Sequence, residues 1–267
     1  MLKTKDIVAG LGEIGLPIYR ILSKSTLTVG FDINQKLMDR NQFGKYEKLQ
    51  TKFLHICIPY SKNFIDNVLS LINDFQPKYV VIHSTISPYT TKKIQEKTSI
   101  PIIYSATRGV HKRMISDLKK YTKFFAINQN LSNSKKAELE FKKQMKKCNI
   151  KTKQMSKPET LELAKIICDT SYLGWLVNYA QISNMIAIQH NVNYDEMWSF
   201  SDEIHKFLGN RPKMYPGYIG GHCVIPNLDL IHNQTLNLIK QMNDMYAKKV
   251  KNAKTIAKIY GAKMIRK

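Results

Sequence analysis

The stretch that decides the fold is Lys5-Asp6-Ile7-Val8-Ala9-Gly10-Leu11-Gly12-Glu13-Ile14-Gly15. A short apolar run stops at Gly10, and three glycines follow in the spacing G-x-G-x-x-G. Leu16, Ile18, Ile21 and Leu22 then recur at helical spacing. A second apolar run, Leu27 to Phe31, ends at Asp32. Strand, tight turn, helix and strand therefore fit into about 30 residues, the size of a βαβ unit. In that context the glycines have separate tasks. Gly10 permits the tight turn, Gly12 lets backbone approach a pyrophosphate, and Gly15 allows close helix–strand packing, while the helix N-terminus favours the anion. Glu13 and Ile14 complete this candidate cofactor loop. Asp32, 22 positions beyond Gly10, is placed to accept hydrogen bonds from ribose hydroxyls, which favours NAD over its 2′-phosphorylated form. Lys36 and Arg40 lie within reach of a 2′-phosphate and leave NADP as the alternative.

Outward from this unit, strand-like runs recur at Phe53 to Ile58, Tyr79 to His83, Ile102 to Ser105 and Phe124 to Ile127. Helical patterns such as Phe64 to Phe75 and Thr90 to Lys97 separate several of them. The alternation predicts an α/β fold, a Rossmann-type doubly wound and mostly parallel sheet with helices on both faces. The pattern changes near 150. Lys151 to Lys157 is polar and charged, and Pro158 suits the first turn of a helix. From there to about His190 a helical rhythm runs through Leu161, Ile166, Cys168, Tyr172, Leu176, Ile182 and Ile186 without a proline. At about 1.5 Å per residue this helix spans roughly 50 Å, too long to bury itself within one small domain. It is therefore expected to pack against a second subunit. Tyr194 to Leu208 reads as another helix, Gly209 to Pro226 as a glycine-rich loop, and Leu228 to about Ile259 as a further helix. The expected organisation is an NAD(P)-binding Rossmann domain over 1–150 and an all-helical dimerisation and substrate domain with a long central helix over 151–267.

Composition excludes several classes. The chain has 267 residues, 43% of them hydrophobic, which argues against wholesale disorder. No run of about 18 apolar residues marks a spanning helix. Met1 to Asp6 leads straight into a strand, leaving no room for a signal peptide, so a cytoplasmic location is expected. Cys57, Cys148, Cys168 and Cys223 have wide, irregular spacings that fit neither a CxxC metal pattern nor a disulfide framework, and a reducing interior is the simplest home. The abnormal number is charge: 42 Lys+Arg against 20 Asp+Glu give +22. Such a surface suits nucleic acid, an anionic membrane or an anionic substrate. The lysines, however, cluster as Lys135-Lys136, Lys142-Lys143, Lys146-Lys147 and Lys248-Lys249, the pattern of solvated helix faces. Zinc-finger spacing, an RNP-type strand and an Arg-rich arm are all missing. Nucleic acid is thus not the expected partner, and a small anionic substrate is.

Two further groups carry chemistry. Tyr215-Pro216-Gly217-Tyr218-Ile219-Gly220-Gly221-His222-Cys223 sets a thiol behind paired glycines in a loop, where a ligand can approach and a nearby base can raise the thiolate fraction. The alternative is an unreactive, partly buried cysteine, which is how Cys57, Cys148 and Cys168 read. Lys165 and Asp169 are four apart and share one helix face, either as an ordinary surface ion pair or as site residues.

Taken together, these segments resemble the UDP-glucose/GDP-mannose (nucleotide-sugar) dehydrogenase family, over about residues 5 to 245. Gly10 to Pro17 is similar to its dinucleotide loop, His83-Ser84-Thr85-Ile86-Ser87-Pro88-Tyr89-Thr90-Thr91 to its strand-end segment beside the nicotinamide, Glu162-Leu163-Ala164-Lys165 to its lysine-bearing helix, and Gly220-Gly221-His222-Cys223 to its nucleophile loop. The resemblance implies an NAD-dependent oxidoreductase that takes an alcohol of a nucleotide sugar to a carboxylate. Cys223 would attack the intermediate aldehyde to give a thiohemiacetal and then a thioester. Lys165 would stabilise negative charge on the reacting oxygen, and Thr85, beside Ser84, would help position water and substrate. The chain departs from the family where its acid/base glutamate is replaced by Thr107, its asparagine by Asp169, and its aspartate by Asn227, with Asp229 displaced by two. It also ends 44 residues after Cys223, the expectation being a member without the family's third domain. Two other readings remain open. One is a single-hydride, β-hydroxyacid-dehydrogenase-like enzyme using Lys165, and the other a non-catalytic protein that binds NAD or nucleic acid.

Overall fold

Successive residues along a strand point to opposite faces, and the apolar residues of the first half of the chain use both faces. In the computed structural model, which describes residues 4–129, 131–208, 216–220, 224–231 and 234–249, strand β1 (Lys5–Ala9) is buried throughout. Val8 packs on one side, and Ile7 and Ala9 on the other. Strands β2 (Thr28–Phe31), β3 (Thr51–Ile56), β4 (Tyr79–Ile82), β5 (Ile102–Tyr104), β6 (Lys123–Ile127) and β7 (Thr152–Gln154) complete a seven-stranded sheet in the order β2-β1-β3-β4-β5-β6-β7. The first five strands are mutually parallel, β6 runs antiparallel to β5, and β7 is parallel to β6.

Helices α1 (Gly15–Leu22), α2 (Arg40–Lys45), α3 (Phe64–Phe75), α4 (Thr90–Gln95), α5 (Met114–Lys120) and α6 (Ser134–Lys147) lie between these strands, and α7 (Pro158–Ala164) follows the last of them. α1, α5 and α6 cover one face through Ile18, Ile21, Leu118, Phe141 and Met145. α3, α4 and α7 cover the other through Phe64, Val68, Ile94 and Leu161. The mostly parallel α/β architecture is the one expected. The lysines of α6 that the sequence assigns to a solvated face are indeed outward, with Lys135, Lys136, Lys143, Lys146 and Lys147 exposed.

Three details differ from expectation. The polar stretch after 150 contains β7, whose Thr152 and Gln154 pair with Lys123 and Phe125. A three-residue, half-exposed strand carries too little periodicity to be read from sequence. Contacts divide the chain into Met1–Lys165 and Ile166–Lys267, so β7 and α7 stay with the sheet. The helical run from Pro158 is not a uniform α-helix either: α7 is followed by a π-helical segment, Lys165–Ser171, and then by α8 (Tyr172–Gln189).

The second unit contains α8, α9 (Tyr194–Leu208), α10 (Ile225–Leu228) and α11 (Gln234–Lys249). α11 packs along α8, and a Cβ added to Gly174 would lie 3.1 Å from Ile239. α8 turns its amides inward, with Asn178, Gln181 and Asn184 fully buried, while Tyr172, Trp175, Tyr179 and Ile186 face out. None of the helices among the described residues is long and apolar enough to cross a membrane.

Candidate functional site

In an open α/β sheet, ligands bind at the carboxyl ends of the strands where the strand order reverses. Here that point lies between β1 and β3, and it is where the glycine loop sits. Gly10 has φ +90°, and a Cβ there would meet the backbone of Cys57 at 2.9 Å. A Cβ on Gly15 would fall 1.6 Å from the Gly10 carbonyl oxygen. At Gly12 a Cβ meets nothing within 4 Å. The first and third glycines are thus demanded by backbone packing, whereas the second faces open space of the kind a pyrophosphate needs. Asp32, at the end of β2, accepts from Leu11 N–H at 2.7 Å and from Asn34 N–H at 2.8 Å. Its carboxylate therefore ties the second strand to the loop, and each oxygen keeps capacity for a further donor. Ile33 beside it is 94% exposed. Lys36 and Arg40 are exposed nearby. Glu13 lies 2.6 Å from His111 in the segment after β5, a pairing not visible in the motif.

Beyond β4, Ser84 donates to the Ile58 carbonyl at 2.6 Å, and Thr85 is half-buried. Glu162, fully buried on α7, accepts from Tyr89 N–H (2.6 Å), Thr91 N–H (2.9 Å) and the Thr91 hydroxyl (2.6 Å). Burial raises its pKa and these hydrogen bonds oppose the rise. The lysine-bearing helix is thereby docked onto the strand-end segment three residues before Lys165. Lys165 itself opens the π-helical segment, a geometry found mostly as single turns and frequently at functional sites. Its spacing to Asp169 thus runs along a widened turn instead of the α-helical one assumed from sequence. Cys168 is exposed, not partly buried as read. Burial pushes the thiols of Cys57, to about 12, and of Cys148 upward, as inert cysteines require.

Thr107, where the family resemblance would place a glutamate, is buried, and its hydroxyl has no hydrogen-bond partner. Its N–H donates to the His83 carbonyl at 3.1 Å. Close by lies a basic group that sequence reasoning missed. Lys123, the first residue of β6, is buried and donates to the Ser105 carbonyl at 3.0 Å. Burial lowers its pKa to about 7, with Cys57 opposing and Arg108 and Lys165 adding to the drop. His55 and His83 stack with ring nitrogens 3.0 Å apart. Gln144 links His55 (3.2 Å) to Asp6 (2.9 Å). Burial and then Lys123 hold His55 down to about 3 and His83 well below its ordinary value. A lysine in Tyr121-Thr122-Lys123-Phe124-Phe125 gives no sign of this burial, because the carbonyl that receives it, that of Ser105, lies beyond the end of another strand.

Thr85 and Lys165 belong to the first unit, and Asp169 and Asn227 to the second. Asn227 is half-buried on α10, and Asp229 forms an ion pair with Lys240. Gly221, His222 and Cys223 lie outside the described residues. Just before them, Gln181 donates to the Gly217 carbonyl at 2.6 Å, and Asn243 bonds both N–H and C=O of Ile219 at 2.7 and 3.2 Å.

No family model matches the chain, and no curated protein matches it. Among solved structures it is similar to the UDP-D-ManNAc dehydrogenase of Pyrococcus horikoshii, with a TM-score of 0.77 at 18% identity over 95% of this chain and 71% of that one. The UDP-N-acetyl-mannosamine dehydrogenase Cap5O of Staphylococcus aureus gives 0.70 at 19% identity over 96% and 71%. The 3-hydroxyisobutyrate dehydrogenase of Mycobacterium tuberculosis gives 0.65 at 15% identity over 94% and 95%. The sheet, the glycine loop at its reversal point and the helical unit that follows give this chain the fold of the nucleotide-sugar dehydrogenases.

Proposed function

We propose that this protein is an NAD-dependent dehydrogenase acting on the CH–OH group of a nucleotide sugar or related anionic substrate through a Cys223 adduct. The observation that carries the reading is the open space at Gly12, held between two sterically enforced glycines, with Asp32 anchored beside it. The residues fit the cofactor: Gly10, Gly12, Glu13, Ile14 and Gly15 would take its pyrophosphate, Asp32 its ribose, and Ser84 and Thr85 its nicotinamide end. NAD, when bound, supplies the hydride acceptor twice, one equivalent for alcohol to aldehyde and a second for thiohemiacetal to thioester.

The chain's own residues would do the rest. Lys165 would hold the substrate oxygen and stabilise its negative charge. Cys223 would add its sulfur to the aldehyde carbon, forming a thiohemiacetal, and would leave as thiolate when water hydrolyses the resulting thioester. Thr85 would orient that water, and Asp169 and Asn227 would be further catalytic residues, as the family resemblance implies. The outward aromatic face of α8, with Trp175, Tyr179 and Ile186, fits a homodimer contact, and the net charge of +22 would draw an anionic substrate.

A second reading, one oxidation with Lys165 as acid/base and Cys223 idle, is favoured by the likeness to a 3-hydroxyisobutyrate dehydrogenase over nearly its full length and by Thr107. Counting NADH per substrate consumed separates them. Two supports the first and one the second, while no NADH from any sugar nucleotide or hydroxy acid overturns both. Cys223→Ser should stop oxidation at the aldehyde while NAD binding is retained.

A further inference from the structure

The acid inside the glycine loop is the one member whose side chain the proposed cofactor site does not explain. Gly10, Gly12 and Gly15 leave backbone and space for a pyrophosphate, and Glu13 would offer it an N–H, but the Glu13 carboxylate carries the wrong charge. Its Cα is about 3.8 Å from that of Gly12, across one trans peptide, and a Cβ at Gly12 meets nothing within 4 Å. α1 begins two residues later, at Gly15. The helix field that favours a pyrophosphate there favours a carboxylate as well. An untethered Glu13 side chain would therefore compete with the cofactor from within the chain.

His111 tethers it. Its Nδ1 lies 2.6 Å from Glu13 Oε2, with the two side chains 29% and 56% exposed, and an Nδ1–H can donate there whether the ring is neutral or charged. His111 opens a single 3-10 turn, His111–Arg113, on the segment that follows β5. That segment is fastened at several points. Arg108 donates to the Thr122 carbonyl at 2.7 Å, its guanidinium carbon 4.9 Å from the centroid of the Phe124 ring. Asp117 of α5, 3% exposed, accepts from Val110 N–H at 2.9 Å and from Arg113 Nε at 3.0 Å, on either side of His111. Gly109 has φ +147°, and a Cβ there would meet Met114 Sδ at 2.9 Å and Asp117 Cβ at 3.0 Å. The chain thus passes against α5 where only glycine fits.

An exposed ion pair adds little to stability, and a braced support is more than such a pair needs. What the support supplies is direction for the carboxylate. We propose that His111 is a positioning residue for cofactor binding, an inference that rests on the NAD reading: it holds the Glu13 carboxylate out of the pyrophosphate space and keeps the glycine loop open to an anion. Asp117 acts one step further back, by fixing the segment that presents His111. Like charges a few ångströms apart repel strongly enough, even near the surface, to change an affinity several-fold.

The test titrates NAD by calorimetry into the full chain and three variants, His111→Ala, Glu13→Gln and the two combined. Wild-type binding is read first, and a wild type that takes no NAD sinks the dehydrogenase reading and this role with it. Where the wild type binds, His111→Ala should weaken NAD several-fold by releasing the carboxylate from His111. Glu13→Gln should bind at least as tightly as the wild type, and the combined variant should recover wild-type affinity. Recovery is the outcome that a merely structural role could not give. Unchanged affinity in His111→Ala overturns the proposal. An equal loss in the combined variant overturns it too, since His111 would then hold the fold or touch the cofactor itself. If His111→Ala does not fold, Glu13→Gln decides alone: a loss of affinity there means that the carboxylate helps binding, and the proposal fails.

Discussion

Glu162 accepts hydrogen bonds from both the backbone N–H and the hydroxyl of Thr91, at 2.9 and 2.6 Å. The two residues belong to segments that sequence reading singled out for separate reasons, the lysine-bearing helix and the strand-end segment. Tyr89, which precedes α4, has φ +67° and makes no side-chain cap, so the carboxylate of Glu162 takes over the N–H groups at that helix start.

Glu162→Gln should therefore be costly. An amide offers one acceptor oxygen to three donors and turns an NH2 group toward one of them, leaving buried donors unpaired at about 1–3 kcal/mol. Denaturant midpoints check this, and an unchanged midpoint would contradict the docking role.

The three glycines of the loop should separate stability from binding. Gly15→Ala drives a methyl into the Gly10 carbonyl and should cost about 3 kcal/mol or more. A Cβ at Gly12 meets nothing within 4 Å, so Gly12→Val should change stability by no more than about 0.5 kcal/mol. It fills the space proposed for a pyrophosphate, and NAD affinity by calorimetry should fall about tenfold or more. A Gly12→Val protein that binds NAD like the wild type would remove the basis of the functional reading.

Asp32 accepts two backbone N–H groups and is the residue proposed to accept from ribose hydroxyls. Asp32→Asn keeps one acceptor oxygen, so the loop should lose some stability. Weaker NAD binding with less loss for NADP, given Lys36 and Arg40 nearby, is the expected result of titrating both cofactors. Equal losses would argue that Asp32 is only a loop tie.

Lys123 makes stability depend on pH. Its folded pKa is lowered from 10.5 to about 7, so between those values the unfolded chain holds a proton that the folded chain lacks. Stability from this residue therefore rises with pH across that window, and below about 7 the penalty for burying the charge is felt in full. Lys123→Met should gain most over wild type near pH 6, with the gap closing toward pH 10. Urea midpoints across that range measure the gap, and a pH-independent gap would mean the amine is solvated.

Much of this was legible in the chain because it is local. The loop Gly10 to Gly15, the strand ends and the helices Phe64–Phe75 and Tyr194–Leu208 are written in residue spacing, which backbone geometry reads directly. β7 was not legible, since three polar residues become a strand only when β6 lies alongside. Lys123 reads as one more surface lysine among many, and Cys168 as a buried one, because burial is a property of neighbours far along the chain.

The periodicities, the spacing of the glycines and the order of chemistry-bearing segments are legible in the sequence alone, since they depend on neighbours within a turn or a strand, whereas the steric demand on Gly10 comes from the distant backbone of Cys57. Tertiary structure alone decided the reversed direction of β6, the docking of Glu162 on Thr91 and the buried amides that hold Ile219. Those arise from pairings across tens of residues, where what fixes a side chain is which partner folding brings to it.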